Sequence, residues 1–183
     1  MIYFVRHGLT DWNENVDETG KVNPRCQGRT NIPLNKNGIA QAEALRNQLS
    51  GIKFDKVLCS PLDRTKQTCE IILGNLDSVV IEERLIERDF GEYEGLTRTQ
   101  FPFVEFCSDK TKTYERAESI PDVEKRVYSL LDELKQENHE NVLLVSHGGV
   151  GCVFASYFDG IPEDGDYSKL IIPNGRPLIK EFK

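Results

Sequence analysis

Ile2-Tyr3-Phe4-Val5-Arg6-His7-Gly8 sets four apolar residues directly against an arginine, a histidine and a glycine. A continuous apolar run, rather than an alternating one, predicts a strand buried on both faces. Such a strand would hold Arg6 and His7 at its carboxyl end. Similar runs recur at residues 56–59, 78–81, 142–145 and 178–182. Helical patterns lie between them. Over 37–49, Ile39, Ala42, Leu45 and Leu49 share a face, with Gly51 as a natural stop. A second helix is expected from Ser60-Pro61, with Ser60 as N-cap and Cys69, Ile72 and Leu73 turned inward. A third begins near Pro121 and presents Val123, Val127, Leu130, Leu131 and Leu134.

Strands alternating with helices imply crossover units and a mainly parallel sheet covered on both faces, in which ligands sit at the carboxyl ends of the strands. Two further clusters then occupy positions equivalent to that of Arg6-His7. Ser60-Pro61-Leu62-Asp63-Arg64 follows the run ending at Cys59, and Ser146-His147-Gly148-Gly149 follows the run ending at Val145. If the three strands are neighbours, two guanidiniums and two imidazoles meet at one point. That set suits a dianion, and the planar fork of arginine matches phosphate oxygens.

A neutral imidazole can also attack phosphorus, and nearby arginines favour the neutral form. His7 is the better held of the two, because the turn at Gly8 allows a backbone carbonyl to fix its other ring nitrogen. The departing alcohol needs a proton. Glu87 is a candidate acid, with Glu82, Glu83, Asp89, Glu92 and Glu94 as competitors that spacing alone does not separate.

The composition narrows the remaining classes. At 183 residues the chain fits one domain, 1–183. A net charge of −7 argues against general affinity for nucleic acid or anionic membrane, so the anion site must be local. The five cysteines, Cys26, Cys59, Cys69, Cys107 and Cys152, contain no C-x-x-C pair, which argues against a disulfide framework or zinc site and for small buried side chains in a reducing compartment. No apolar run reaches the roughly 18 residues of a membrane span. A cytoplasmic location is expected, and the sequence is silent on oligomeric state.

Five blocks, in order over nearly the whole chain, carry a resemblance. They are Arg6-His7-Gly8 with Thr10 and Trp12-Asn13; Gln27-Gly28 with Pro33-Leu34, Gly38 and Gln41-Ala42; Ser60-Pro61-Leu62 with Arg64-Thr65 and Gln67-Thr68; Glu87 with Phe90-Gly91 and Glu94-Gly95; and Ser146-His147-Gly148-Gly149. The pattern resembles the histidine phosphatase superfamily, in its phosphoglycerate-mutase-like branch. The resemblance implies an α/β fold, a three-layer α/β/α sandwich with a mainly parallel central sheet and a small cap segment. It implies His7 as the phosphorylated nucleophile and Arg6, Arg64 and His147, with Gly148, around the phosphate. Glu87 would be the proton donor, Asn13, Gln27 and Gly28 would line the site, and neither metal nor other cofactor would be used.

The chain departs from the pattern in two places. Residues 14–26 form a longer, polar insertion, expected as a flexible loop able to lie over the site. The glycine-rich lead into Glu118-Ser119 is replaced by Tyr114-Glu115-Arg116-Ala117. Residues 96–120 are expected as a cap that sets specificity. Lys110, Lys112 and Arg116 are the only basic residues between Thr99 and Ile120, and paired arginines of the mutase kind are not evident there. A phosphatase of small phosphorylated metabolites is therefore favoured over a cofactor-dependent phosphoglycerate mutase. A non-catalytic module binding phosphorylated ligands is less favoured, because His7 and Glu87 are both present. The aromatic stretch Phe101–Phe106 is expected to be mainly a helix packing on the core; facing the substrate, it would suit a ligand with an apolar portion. His139 is expected to be a surface residue without a role.

Overall fold

The computed structural model of the protein describes residues 1–111, 114 and 116–182. Five strands form one sheet: β1 (Ile2–Arg6), β2 (Lys56–Cys59), β3 (Val79–Ile81), β4 (Val142–Ser146) and β5 (Pro177–Lys180), in the order β3-β2-β4-β1-β5. All pairings are parallel except that of β5 on β1. Strands β1, β4 and β2 are therefore adjacent, with Arg6 opposite Ser146 and Cys59 opposite Val145. This register sets the three expected clusters side by side.

The helices cover both faces. Alternate residues of one strand point to opposite sides. Ile2 and Phe4 of β1 join Val142 and Leu144 of β4 in a core built with α4 (Ile120–Gln136) and α5 (Gly148–Asp159). Val5, Leu143 and Val145 face the other way, onto α1 (Lys36–Gln48) and α2 (Asp63–Leu73). Helix α4 presents Val123, Val127, Leu130, Leu131 and Leu134 as expected, and Ser119 caps it by accepting a hydrogen bond from the Asp122 amide. Each such side chain, fully buried, contributes about 1.5–3 kcal/mol.

Several expectations need correction. Helix α2 starts at Asp63 with Leu62 as N-cap and no side-chain cap, because the Ser60 hydroxyl is engaged with His147 instead. Ile39 is exposed; the inner face of α1 is Gly38, Ala42 and Leu45, and Asn35 caps that helix. Strands β3 and β5 are not buried on both faces: as edge strands they leave Val80, Ile81 and Ile179 in solvent. Helix α5 has no counterpart in the sequence reading. It opens on two glycines and is buried nearly all round, so it shows no amphipathic period.

A short helix, α3 (Phe103–Ser108), sits beyond the carboxyl ends of the strands. Phe101 and Phe106 bury themselves against Cys26, Phe90 and Tyr93. The 14–26 insertion is pinned rather than loose. Val16 pairs with Val22, Arg25 bridges Thr97, and the Cys26 amide donates to the Leu96 carbonyl at 2.8 Å. Lys112 and Glu115 lie outside the described residues. No helix among the described residues is long and apolar enough to cross a membrane.

Candidate active site

At the carboxyl edge of the sheet lies a cavity of about 300 Å³ whose wall includes Arg6, His7, Asn13, Gln27, Gly28, Arg64, Glu87 and Gly148. Eight of the nine positions singled out from the sequence thus share one space. The ninth, His147, is 0 % exposed and stands behind His7, with ring centroids 5.2 Å apart.

His7 is fixed at four atoms. Its amide donates to the Ser146 carbonyl across the β1–β4 register at 3.0 Å, and Asn174 donates its side-chain amide to the His7 carbonyl. Its Nδ1 lies 2.7 Å from the Gly8 carbonyl, and Nε2 receives Arg64 Nε at 3.3 Å. A carbonyl only accepts and a guanidinium only donates, so Nδ1 carries the proton and Nε2 the lone pair. Burial, followed by the charges of Arg64 and Arg6, holds the His7 pKa well below the ordinary histidine value. The loop is tight: a Cβ on Gly8 would stand 2.2 Å from the Gly38 carbonyl oxygen, so only glycine lets the His7 turn rest on the start of α1.

Arg64, 0 % exposed, donates to the carbonyls of Gly28 (2.7 Å) and Thr30 (2.9 Å). Burial pushes its pKa down to about 10, so it stays charged at neutral pH. Arg6 donates to the Ile172 carbonyl at 3.2 Å, and its buried Nε has no partner among the described residues. His147 meets the Ser60 hydroxyl through Nε2 at 2.6 Å, and its buried Nδ1 has no partner among the described residues. Burial, and then Arg64, lowers its pKa as for His7. Buried donors left unsatisfied cost free energy that an incoming anion would recover.

Glu87 closes the opposite wall at the start of α5. Its carboxylate accepts from the amides of Arg88 (2.8 Å), Gly149 (3.0 Å) and Val150 (3.3 Å). A Cβ on Gly149 would lie 2.7 Å from Glu87 Oε1, so glycine there permits the contact. Among the competing acids, Glu82 is engaged with Arg84, and Glu94 accepts from the Arg29 and Thr30 amides. Asn13 and Gln27 are joined through Thr10: Gln27 Nε2 donates to Thr10 Oγ1 at 2.9 Å, and the Thr10 amide donates to Asn13 Oδ1 at 3.1 Å.

Several wall residues were not legible in the sequence. Arg25, from the insertion, and Arg98, stacked over the Phe103 ring at 4.5 Å, add two exposed cations. Arg98 lies one residue before the 99–120 stretch, and Arg25 lies within the polar insertion. Of the basic residues found in that stretch, Lys110 is instead paired with Glu124. The far side of the cavity is apolar, with Phe103, Ile120, Val123, Val153, Tyr167 and Ile171. Cys26, Cys107 and Cys152 also line it, and burial pushes the thiols of Cys107 and Cys152 up to about 12, which makes them poor nucleophiles. His139 lies elsewhere and meets Glu137 at 2.9 Å.

Comparison with known proteins places the chain in a family. Residues 2–176 match the family model of the histidine phosphatase superfamily (branch 1). The chain is similar to an uncharacterized phosphatase, PhoE, of Bacillus subtilis, at 31% identity over 170 residues, covering 88% of this chain and 79% of the relative. It is similar also to the 2,3-bisphosphoglycerate-dependent phosphoglycerate mutase of Neisseria meningitidis, at 27% identity, covering 97% of this chain and 92% of the relative. Among solved structures, the alpha-ribazole phosphatase from Shigella flexneri superposes with a TM-score of 0.80 at 26% identity, covering 96% of this chain and 87% of the other.

Proposed function

The chain belongs to the histidine phosphatase superfamily, branch 1, and is an enzyme of the phosphatase type; we propose that it hydrolyses small phosphomonoesters through a phosphohistidine formed on His7. The observation that carries this reading is the state of His7: Nδ1 is held by the Gly8 carbonyl and the Nε2 lone pair lies among buried cations. In the first step Nε2 attacks phosphorus, the N–P bond forms and the P–O bond to the leaving alcohol breaks. Arg6 and Arg64 neutralise the three phosphoryl oxygens, which is the charge a metal ion would otherwise meet. Glu87, entering this step with a proton, gives it to the departing oxygen and becomes the carboxylate that the Arg88, Gly149 and Val150 amides hold. In the second step Glu87 takes a proton from water, the water oxygen attacks phosphorus, and His7 leaves with its lone pair restored. Asn13, Gln27 and Gly28 line the path, and His147 supports the phosphoryl group from behind.

The substrate we infer is a small phosphomonoester with an apolar or aromatic organic group, since the wall beyond Glu87 is formed by Phe103, Val153, Tyr167 and Ile171. One observation favours a second reading. Arg25 and Arg98 on the same wall could meet a carboxylate, as transfer between phosphoglycerate positions would need. Residues 1–183 are read as a single catalytic domain with 96–120 as its cap, acting in the cytoplasm. The five unpaired cysteines are consistent with that compartment.

The test is release of nitrophenol from p-nitrophenyl phosphate in the presence of a chelator, beside conversion of 3- to 2-phosphoglycerate with a bisphosphoglycerate primer. Metal-free turnover of the first alone is expected. No turnover of either would overturn the enzyme reading, and mutase conversion exceeding hydrolysis would replace it with the second.

A further inference from the structure

Two buried imidazoles stand side by side, yet the proposed chemistry needs only one nucleophile. The Ser60 hydroxyl offers a reason. Ser60 is 0 % exposed, and its Oγ has His147 Nε2, at 2.6 Å, as its partner. The neighbouring Thr65 hydroxyl donates to the Ser60 and Leu62 carbonyls, not to Oγ. If Ser60 accepted a proton from Nε2, its own buried O–H would have no acceptor among the described residues. Donating to the Nε2 lone pair satisfies it.

We propose that Ser60 is a positioning residue that locks His147 in the Nδ1–H tautomer, so that Nδ1–H is the donor that meets a phosphoryl oxygen on His7. This rests on the phosphohistidine reading above. Among the described residues the ring Nδ1 of His147 has no partner, and the ring is adjacent to His7. In the opposite tautomer a lone pair would face the anion and repel it. The lock has a second effect: with Nδ1 protonated, the one lone pair of the His147 ring lies on Nε2, against Ser60, and the nitrogen that meets the phosphoryl group has none. One imidazole is left as donor and the other as nucleophile. Backbone placement of Ser60 is independent of its hydroxyl, since its amide donates to the Val145 carbonyl at 3.0 Å.

The test is nitrogen NMR of the full-length protein with labelled histidine at neutral pH, together with Ser60→Ala. In the unsubstituted protein the His147 Nδ1 should give the protonated signal and Nε2 the unprotonated one. In Ser60→Ala that preference should relax. The affinity for orthovanadate should then fall about 10- to 100-fold, the size expected for losing one hydrogen bond to a charged group, while the His7 signals stay in place. An Nε2–H tautomer in the unsubstituted protein would overturn the proposal, and this holds even where Ser60→Ala fails to fold. A folded Ser60→Ala with unchanged tautomer and vanadate affinity would overturn it as well. Failure of the phosphatase reading would appear separately, as absence of nitrophenyl phosphate turnover with the tautomer still readable.

Discussion

The two walls of the cavity are built in opposite ways. The floor, at the ends of β1, β2 and β4, holds Arg6, His7 and Arg64 through backbone carbonyls and strand register and His147 through the Ser60 hydroxyl; His7, Arg64 and His147 are buried and Arg6 is partly so. The outer wall, made by the pinned insertion and the cap, is a stack of rings: Phe90 lies on Phe106 at 4.9 Å and Tyr93 on Phe101 at 5.0 Å, with Arg25, Arg98 and Ile171 open to solvent. A floor fixed by main-chain geometry tolerates no substitution without losing its chemistry. A wall built of side-chain packing can change shape while the chemistry stands. Substitutions in the two regions should therefore separate cleanly.

The largest effect belongs to the floor. His7→Ala should lower kcat for p-nitrophenyl phosphate by at least about 10⁴-fold with an unchanged circular dichroism spectrum, as removal of a nucleophile does elsewhere. Residual activity within tenfold would mean that His7 is not the nucleophile. Glu87→Gln should slow alkyl phosphates about 10²- to 10³-fold but nitrophenyl phosphate much less, because nitrophenolate leaves without a proton. Equal slowing of both would remove Glu87 from the acid role.

The floor should also be visible in stability. His7 and His147 have pKa values lowered by burial and by arginine, so the unfolded chain binds protons that the folded one refuses. Their stabilising contribution is full above the unfolded value of about 6.5 and is lost as pH falls toward the lower folded values, at up to about 1.4 kcal/mol per pH unit for each histidine. Urea unfolding between pH 7.5 and 5 should show that slope, and His147→Asn should reduce it; an unchanged slope would contradict the burial argument. The smallest effect belongs to the wall. Phe103→Ala should raise KM for naphthyl phosphate about 3- to 10-fold, leave kcat near its original value, and leave glycerol phosphate untouched. A loss of kcat on both substrates would show that the wall takes part in chemistry.

This division also explains what the sequence made legible. The floor depends on residues at strand ends, and the continuous apolar runs ending at Val5, Cys59 and Val145 marked those ends, so their convergence followed once the strands were neighbours. Glu87 was different. Its place against the Gly149 and Val150 amides depends on helix α5, which hides its period because it is buried on nearly every side. The wall was least legible. Arg25 and Arg98 reach the cavity only because the insertion pairs with Thr97, and no local pattern announces a single bridge between residues so far apart. Ser60 read as a helix cap, since its sequence position fits that role as well as it fits a hydrogen bond to an imidazole 87 residues away.

The most direct test of the account is to quench the protein within milliseconds of mixing with p-nitrophenyl phosphate and map the modified residue by mass spectrometry. A single acid-labile, alkali-stable phosphoryl group on His7, absent from His7→Ala, is the predicted result. A phosphoryl group on His147, or turnover with no modified histidine at any time, would contradict it.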